Sequence, residues 1–104
     1  MIDIKYTDKN EYRKLTMRGH AGYEEKGKDI VCSAATILAF TLAARLDDLR
    51  DQCEELTIRL VEGDIVIESR SPFAGVMDAY DTVMCGIHLL WQQYPANVYV
   101  TKEG

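Results

Sequence analysis

The sequence predicts an α+β fold: a mostly antiparallel sheet with two helices packed on one of its faces. Three observations carry this reading. Two pairs of short segments alternate apolar and polar residues, with a turn inside each pair. Two longer segments place apolar residues at helical spacing instead. A last alternating segment closes the chain, so the order is β-β-α-β-β-α-β. At 104 residues the chain is read as a single domain, residues 1–104, with no internal boundary or low-complexity tract.

The elements follow in order. "MIDIKY", residues 1 to 6, alternates as a half-buried strand does. Lys9 and Asn10 supply a turn, and Tyr12 to Ala21 alternates again, with Leu15, Met17, Gly19 and Ala21 on one face. These two segments form a hairpin. Gly22 and Gly27 then break the pattern among solvated charges. The first helix is predicted from about Val31 to Cys53, with a stripe of Val31, Ala34, Ala35, Leu38, Leu42, Leu46, Leu49 and Cys53; Asp29 sits at the N-cap position. Leu56, Ile58 and Leu60, then Ile65 and Ile67, alternate about a Glu62-Gly63-Asp64 turn and make a second hairpin. The second helix is predicted to open with Ser71 as N-cap and Pro72 as its first residue. Its stripe is Phe73, Val76, Met77, Tyr80, Val83, Met84, Ile87, Trp91 and Tyr94, and Pro95 ends it. Asn97 to Thr101 is the last strand.

Composition narrows the function. The chain is 47% apolar and 28% charged, as ordinary globular proteins are. Twelve Lys and Arg against 17 Asp and Glu give a net charge of −5, which argues against direct nucleic-acid binding and is compatible with a basic protein partner. Met1 leads straight into a strand pattern, so no secretion signal is expected. No apolar run is read as approaching the roughly 20 residues of a membrane span. Three cysteines make no disulfide framework, and with two histidines and no Cys-x-x-Cys they make no zinc site; no metal or cofactor is expected. A reduced, cytoplasmic protein is the expectation.

The chemistry-bearing stretch is "GHAGYEEKGKDIVCSA", Gly19 to Ala34, which sets His20 twelve residues ahead of Cys32. Cys32 falls in the first turn of a long helix, where free N–H groups and the helix dipole favour a thiolate. A strand end leading through a loop to a helix start can bring the His20 imidazole to that sulfur, giving a base and a nucleophile. The N–H groups of Cys32 and Ser33 would then face an oxyanion. Asp29 either orients His20 or caps the helix. A small buried cysteine and a hydrogen-bonded structural histidine are the bland alternatives. Gly19, Gly22 and Gly27 fit a bent loop better than a linker. Cys53 and Cys85 read as packing residues, and His88 as a partly buried, hydrogen-bonded histidine.

This stretch resembles the signature of the ribosomal-processing cysteine protease (Prp) family: Gly-His-Ala, a short Gly-containing loop, then Gly-x-Asp-Ile-Val-Cys-Ala/Ser. Gly19, His20, Ala21, Gly27, Asp29, Ile30, Val31, Cys32 and Ser33 meet it. Thr36 departs from it, standing where the family commonly has Ser four residues after the nucleophile, though a hydroxyl is kept. The resemblance implies a homodimeric, cytoplasmic endopeptidase without cofactor. It would remove an N-terminal extension from a large-subunit ribosomal protein, cutting after an aromatic residue. It implies a His20–Cys32 catalytic dyad, Asp29 as a supporting residue, and a mobile substrate loop shaped by Gly19, Gly22 and Gly27. Tyr23, or side chains of a dimer partner, would hold the substrate's aromatic residue. The alternative reading is a non-enzymatic, ribosome-associated adaptor that holds a peptide with the same loop. A redox sensor is weaker still, since no resolving cysteine lies near Cys32 in the sequence.

Overall fold

Alternation sets the first hairpin. Ile2, Ile4 and Tyr6 of β1 (Ile2–Lys9) and Leu15 and Met17 of β2 (Tyr12–Arg18) are buried on one face and pair across the ladder as Ile4 with Met17 and Tyr6 with Leu15. Asn10 takes a positive φ of 57° in the turn, a conformation its short polar side chain tolerates. The computed structural model describes residues 1–25 and 29–104, so the expectation for Gly27 falls outside the described residues.

Helix α1 spans Ile30–Asp48, not Val31 to Cys53. Leu49 leaves helical geometry at φ −101° and ψ 16°, its N–H shared among carbonyls of the last turn. Arg50–Gln52 form one 3₁₀ turn, and Cys53 is already extended. The apolar stride continues across this break because Leu49 and Cys53 still pack against the core, which is why spacing alone overran the helix. Length and hydropathy also differ from expectation: α1, with mean hydropathy 1.6, is long and apolar enough to cross a membrane. Its buried residues Val31, Ala35, Ala39, Leu42, Ala43 and Leu46 join the same core as the sheet.

The second hairpin is β3 (Glu55–Val61) and β4 (Asp64–Arg70), turned at Glu62-Gly63. Helix α2 spans Ala74–Gln93, with Phe73 at its cap position. Ser71 and Pro72 therefore precede the helix rather than opening it. The Ser71 Oγ accepts from the Phe73 N–H at 3.1 Å and donates to the Gln52 carbonyl at 2.6 Å, so it closes a local turn ahead of the helix and ties it to the 3₁₀ segment. Phe73 and Met77 lie outside the buried stripe, at 42% and 37% exposure, whereas Leu90 is inside it. The stripe runs Val76, Tyr80, Val83, Met84, Ile87, Leu90, a narrower band than the sequence implies. Cys85 and His88 are exposed, contrary to expectation; the His88 ring lies 6.2 Å from that of Trp91.

β5 (Val98–Glu103) pairs parallel with β1, because α2 returns the chain to the end where β1 starts. The sheet order is β3-β4-β2-β1-β5, with every other pairing antiparallel. The α+β class, the element order and the one-sided helix layer are thus as the sequence predicts. The consequence for function lies in the pairing of β2 with β4. It sets the β3–β4 turn beside the end of β2, where His20 follows.

Candidate active site

β2 stops at Arg18 because Gly19 turns the chain at φ +90°; a side chain there would meet the Met1 carbonyl oxygen at 2.6 Å, so only glycine fits. The Gly19 N–H donates to the Gly63 carbonyl at 3.1 Å, which joins the start of the loop to the β3–β4 turn. His20 follows on the surface. Gly63, itself at φ +76°, presents bare backbone to its ring: a Cβ at Gly63 would lie 3.3 Å from His20 Nε2. Ala21 is buried at 2% exposure. Its carbonyl accepts from Asn97 Nδ2 at 3.0 Å, and its N–H donates to Cys32 Sγ at 3.1 Å.

Asp29 settles its own role by its partners. One carboxylate oxygen accepts from Val31 and Cys32 N–H at 3.0 and 2.9 Å, and the other from Tyr23 and Glu24 N–H at 3.0 and 3.3 Å. It caps α1 and folds the loop back onto the helix start. Burial raises its pKa, but the four N–H donors outweigh burial and hold the carboxyl below the ordinary carboxylate range. These bonds also occupy the Cys32 N–H, while the Ser33 N–H donates to the Asp29 carbonyl at 3.0 Å. The two N–H groups expected to face an oxyanion are therefore engaged within the helix cap, and the free-standing donor aimed at the sulfur is that of Ala21.

His20 and Cys32 share two adjoining cavities. One, of about 580 Å³, is also lined by Gly22, Ser33, Thr36 and Ile37, with Glu24, Asp29 and Glu62 giving it an acidic wall. The other, of about 340 Å³, takes in Gly19, Thr36, Phe40 and Gly63. Thr36 thus faces the same space as the proposed pair. Tyr23 lies apart from both cavities, 45% exposed, its ring edge-on to Tyr94 at 5.3 Å. Sequence reasoning missed Ile37, Phe40, Glu62, Gly63 and Asn97. Ile37 and Phe40 had a signal, since positions 33, 36, 37 and 40 share one face of a helix. Glu62 and Gly63 were legible only as a turn, because what they touch depends on the β2–β4 pairing.

A base, a thiol and a backbone donor around one cleft is an arrangement for acyl transfer. Comparison with known proteins identifies the family. The profile of the family described as cysteine protease Prp matches residues 1–99. The chain is 29% identical over 89 residues to the ribosomal processing cysteine protease Prp of Mycoplasma genitalium, covering 86% of this chain and 87% of that protein. In fold it is similar to the essential ribosomal processing protease Prp of Staphylococcus aureus, solved with a covalently linked product peptide. That likeness has a TM-score of 0.86 at 22% identity and covers 99% of this chain and 100% of the other. The same S. aureus protease solved with a substrate peptide matches at a TM-score of 0.81, again at 22% identity, over 99% and 100% of the two chains.

Proposed function

Because this chain belongs to the Prp family of cysteine proteases, we propose that it is an endopeptidase that trims an N-terminal extension from a large-subunit ribosomal protein after an aromatic residue, with Cys32 as nucleophile and His20 as its base. Family membership makes the chain an enzyme and sets the adaptor reading aside. The observation that carries the assignment of residues is the sharing of both cavities by His20 and Cys32, with the Ala21 N–H on the sulfur. Neither Cys53 nor Cys85 lines any of the described cavities.

The steps follow from the groups present. His20 takes the Cys32 proton as sulfur attacks the peptide carbonyl; the C–N bond breaks, and the leaving amine takes that proton from His20. We assign the Ala21 N–H, the backbone donor directed at the sulfur, to the oxyanion that develops beside it. Water then attacks the thioester with His20 again as base, releasing the acid and the free thiol. Ser33 and Thr36 offer hydroxyls on the same helix face. The acidic cleft wall and the net charge of −5 favour a basic ribosomal substrate. The enzyme works in the cytoplasm, away from membranes, as a homodimer. Incubating the junction peptide of such a ribosomal protein with wild type, Cys32→Ala and His20→Ala, and reading intact masses, tests the proposal. One cut after the aromatic residue by wild type alone supports it; an intact peptide with wild type refutes the proposed substrate.

A further inference from the structure

We propose that the free edge of β3 is the docking strand for the substrate: an extended peptide segment beside the scissile bond adds to the sheet along β3. It sets alternate apolar side chains into the groove between β3 and α1. This rests on the protease reading above and names how that site holds its peptide.

β3 is an outermost strand of the sheet. The direction of its hydrogen bonds follows from register. The Gly19 N–H bonds the Gly63 carbonyl, so in the β2–β4 ladder the odd-numbered residues of β4 face β2. The even-numbered ones, Asp64, Val66 and Glu68, must then bond β3 at their partners Val61, Arg59 and Thr57. Leu56, Ile58 and Leu60 are left with their N–H and C=O groups directed at the open edge.

These same three residues face the helices. Ile58 and Leu60 of β3, with Ile37, Phe40, Thr41 and Ala44 of α1, line a groove of about 620 Å³. Asp47 and Arg50, paired with each other, also line it, and the rest is largely apolar: Ile37 is 62% exposed, and Phe40 and Leu60 are each 42% exposed. Proteins normally blunt a free edge with charge, proline or a bulge. Here β3 carries two charged residues, Glu55 at its start and Arg59, and both alternate onto the opposite face. The groove opens onto the catalytic cleft, since Phe40 lines it and the cavity shared by His20 and Cys32. From Cys32 to Ala44 the helix rises about 18 Å, a distance that about five or six extended residues cover. An open strand edge, an apolar trough beside it and a nucleophile at one end together match strand addition. In that mode backbone bonds give affinity and alternate side chains give selection.

The test starts from a proteome-derived peptide library digested by the wild-type enzyme, with cut sites read by mass spectrometry. The best-cut peptide is resynthesised with single N-methyl amides at successive positions. Methylation at every second position is expected to raise KM at least tenfold with little change in kcat, and the intervening positions to tolerate it. Ala44→Trp, on the exposed helix face, is expected to raise KM several-fold while the rate of Cys32 alkylation stays at the wild-type value. Uniform tolerance or uniform damage along a peptide that is still cut overturns strand addition and leaves the protease reading standing. A change of oligomeric state in Ala44→Trp with KM unchanged would give the groove to a second copy and also overturn it. If wild type cuts no library peptide, the protease reading fails and the docking proposal falls with it.

Discussion

The Ala21 N–H donates to Cys32 Sγ at 3.1 Å, although the two lie eleven positions apart across a loop. This contact ties the strand-side half of the loop to the helix that carries the thiol. It depends on two further anchors: the Asp29 carboxylate, which gathers Tyr23, Glu24, Val31 and Cys32, and the Asn97 amide on the Ala21 carbonyl.

The three thiols should react unequally. Cys85 is exposed, while Cys32 and Cys53 are half-buried. Burial pushes the Cys53 thiol up. Access alone would make Cys85 the fastest. Pairing with His20 predicts instead that iodoacetamide labels Cys32 about tenfold faster than Cys85, with Cys53 slowest. Tryptic mapping over a time course reads all three at once, and a fastest Cys85 would contradict activation.

Asp29→Ala removes the acceptor of four backbone N–H groups. We expect a loss of about 2 kcal/mol of stability, at the upper end of measured helix caps, with a fall in activity. Asp29→Asn, which still accepts at one oxygen, should recover part of the stability. The carboxyl is held below its ordinary value of 3.8, so its contribution is fully present above that pH and is lost as pH falls below it. Urea melts of wild type and Asp29→Asn should therefore converge below about pH 4 and differ most near neutrality.

Gly63→Ala places a methyl 3.3 Å from His20 Nε2 and forces a side chain into φ +76°. The backbone strain costs about 1 kcal/mol. The displaced imidazole should lower kcat about tenfold, since small misplacements of a catalytic group are costly. KM should move little, and alkylation of Cys32 should slow in parallel. A variant with wild-type kcat would show that His20 needs no support from this turn.

Asn97→Ala deletes the hydrogen bond to the Ala21 carbonyl while leaving the main-chain bonds of residue 97 in place. Loss of that one bond should cost about 1 kcal/mol. Because it frees the peptide unit next to the one that reaches Cys32, the larger effect is expected on kcat. Equal thermal shifts with unchanged kcat would assign Asn97 to stability alone.

Much of this was legible before the structure, for physical reasons. Alternation in β1 to β4 is a direct readout of one buried face, so the hairpins and the order of elements were plain. His20, Cys32, Asp29 and the bend at Gly19 sit within one short stretch, where local rules of caps and turns apply. The overrun of α1 to Cys53 arose because apolar spacing survives a change of backbone geometry at Leu49. The misplaced start of α2 arose because Ser71 closes a turn two residues before the helix. Gly63, Glu62 and Asn97 were invisible as site residues, since only the β2–β4 and β1–β5 pairings bring them to the loop. The cavities that Glu62 and Gly63 help to line lie between elements that are distant in sequence.

The most direct test of the account is rapid-quench intact-mass spectrometry of the enzyme during turnover of a cut peptide, followed by mapping of any adduct. Covalent catalysis by Cys32 predicts a transient mass gain equal to the N-terminal fragment as an acyl group, on Cys32 alone, absent from Cys32→Ala and strongly reduced in His20→Ala. Cleavage that persists in Cys32→Ala, or an acyl group found on Cys53 or Cys85, would contradict it.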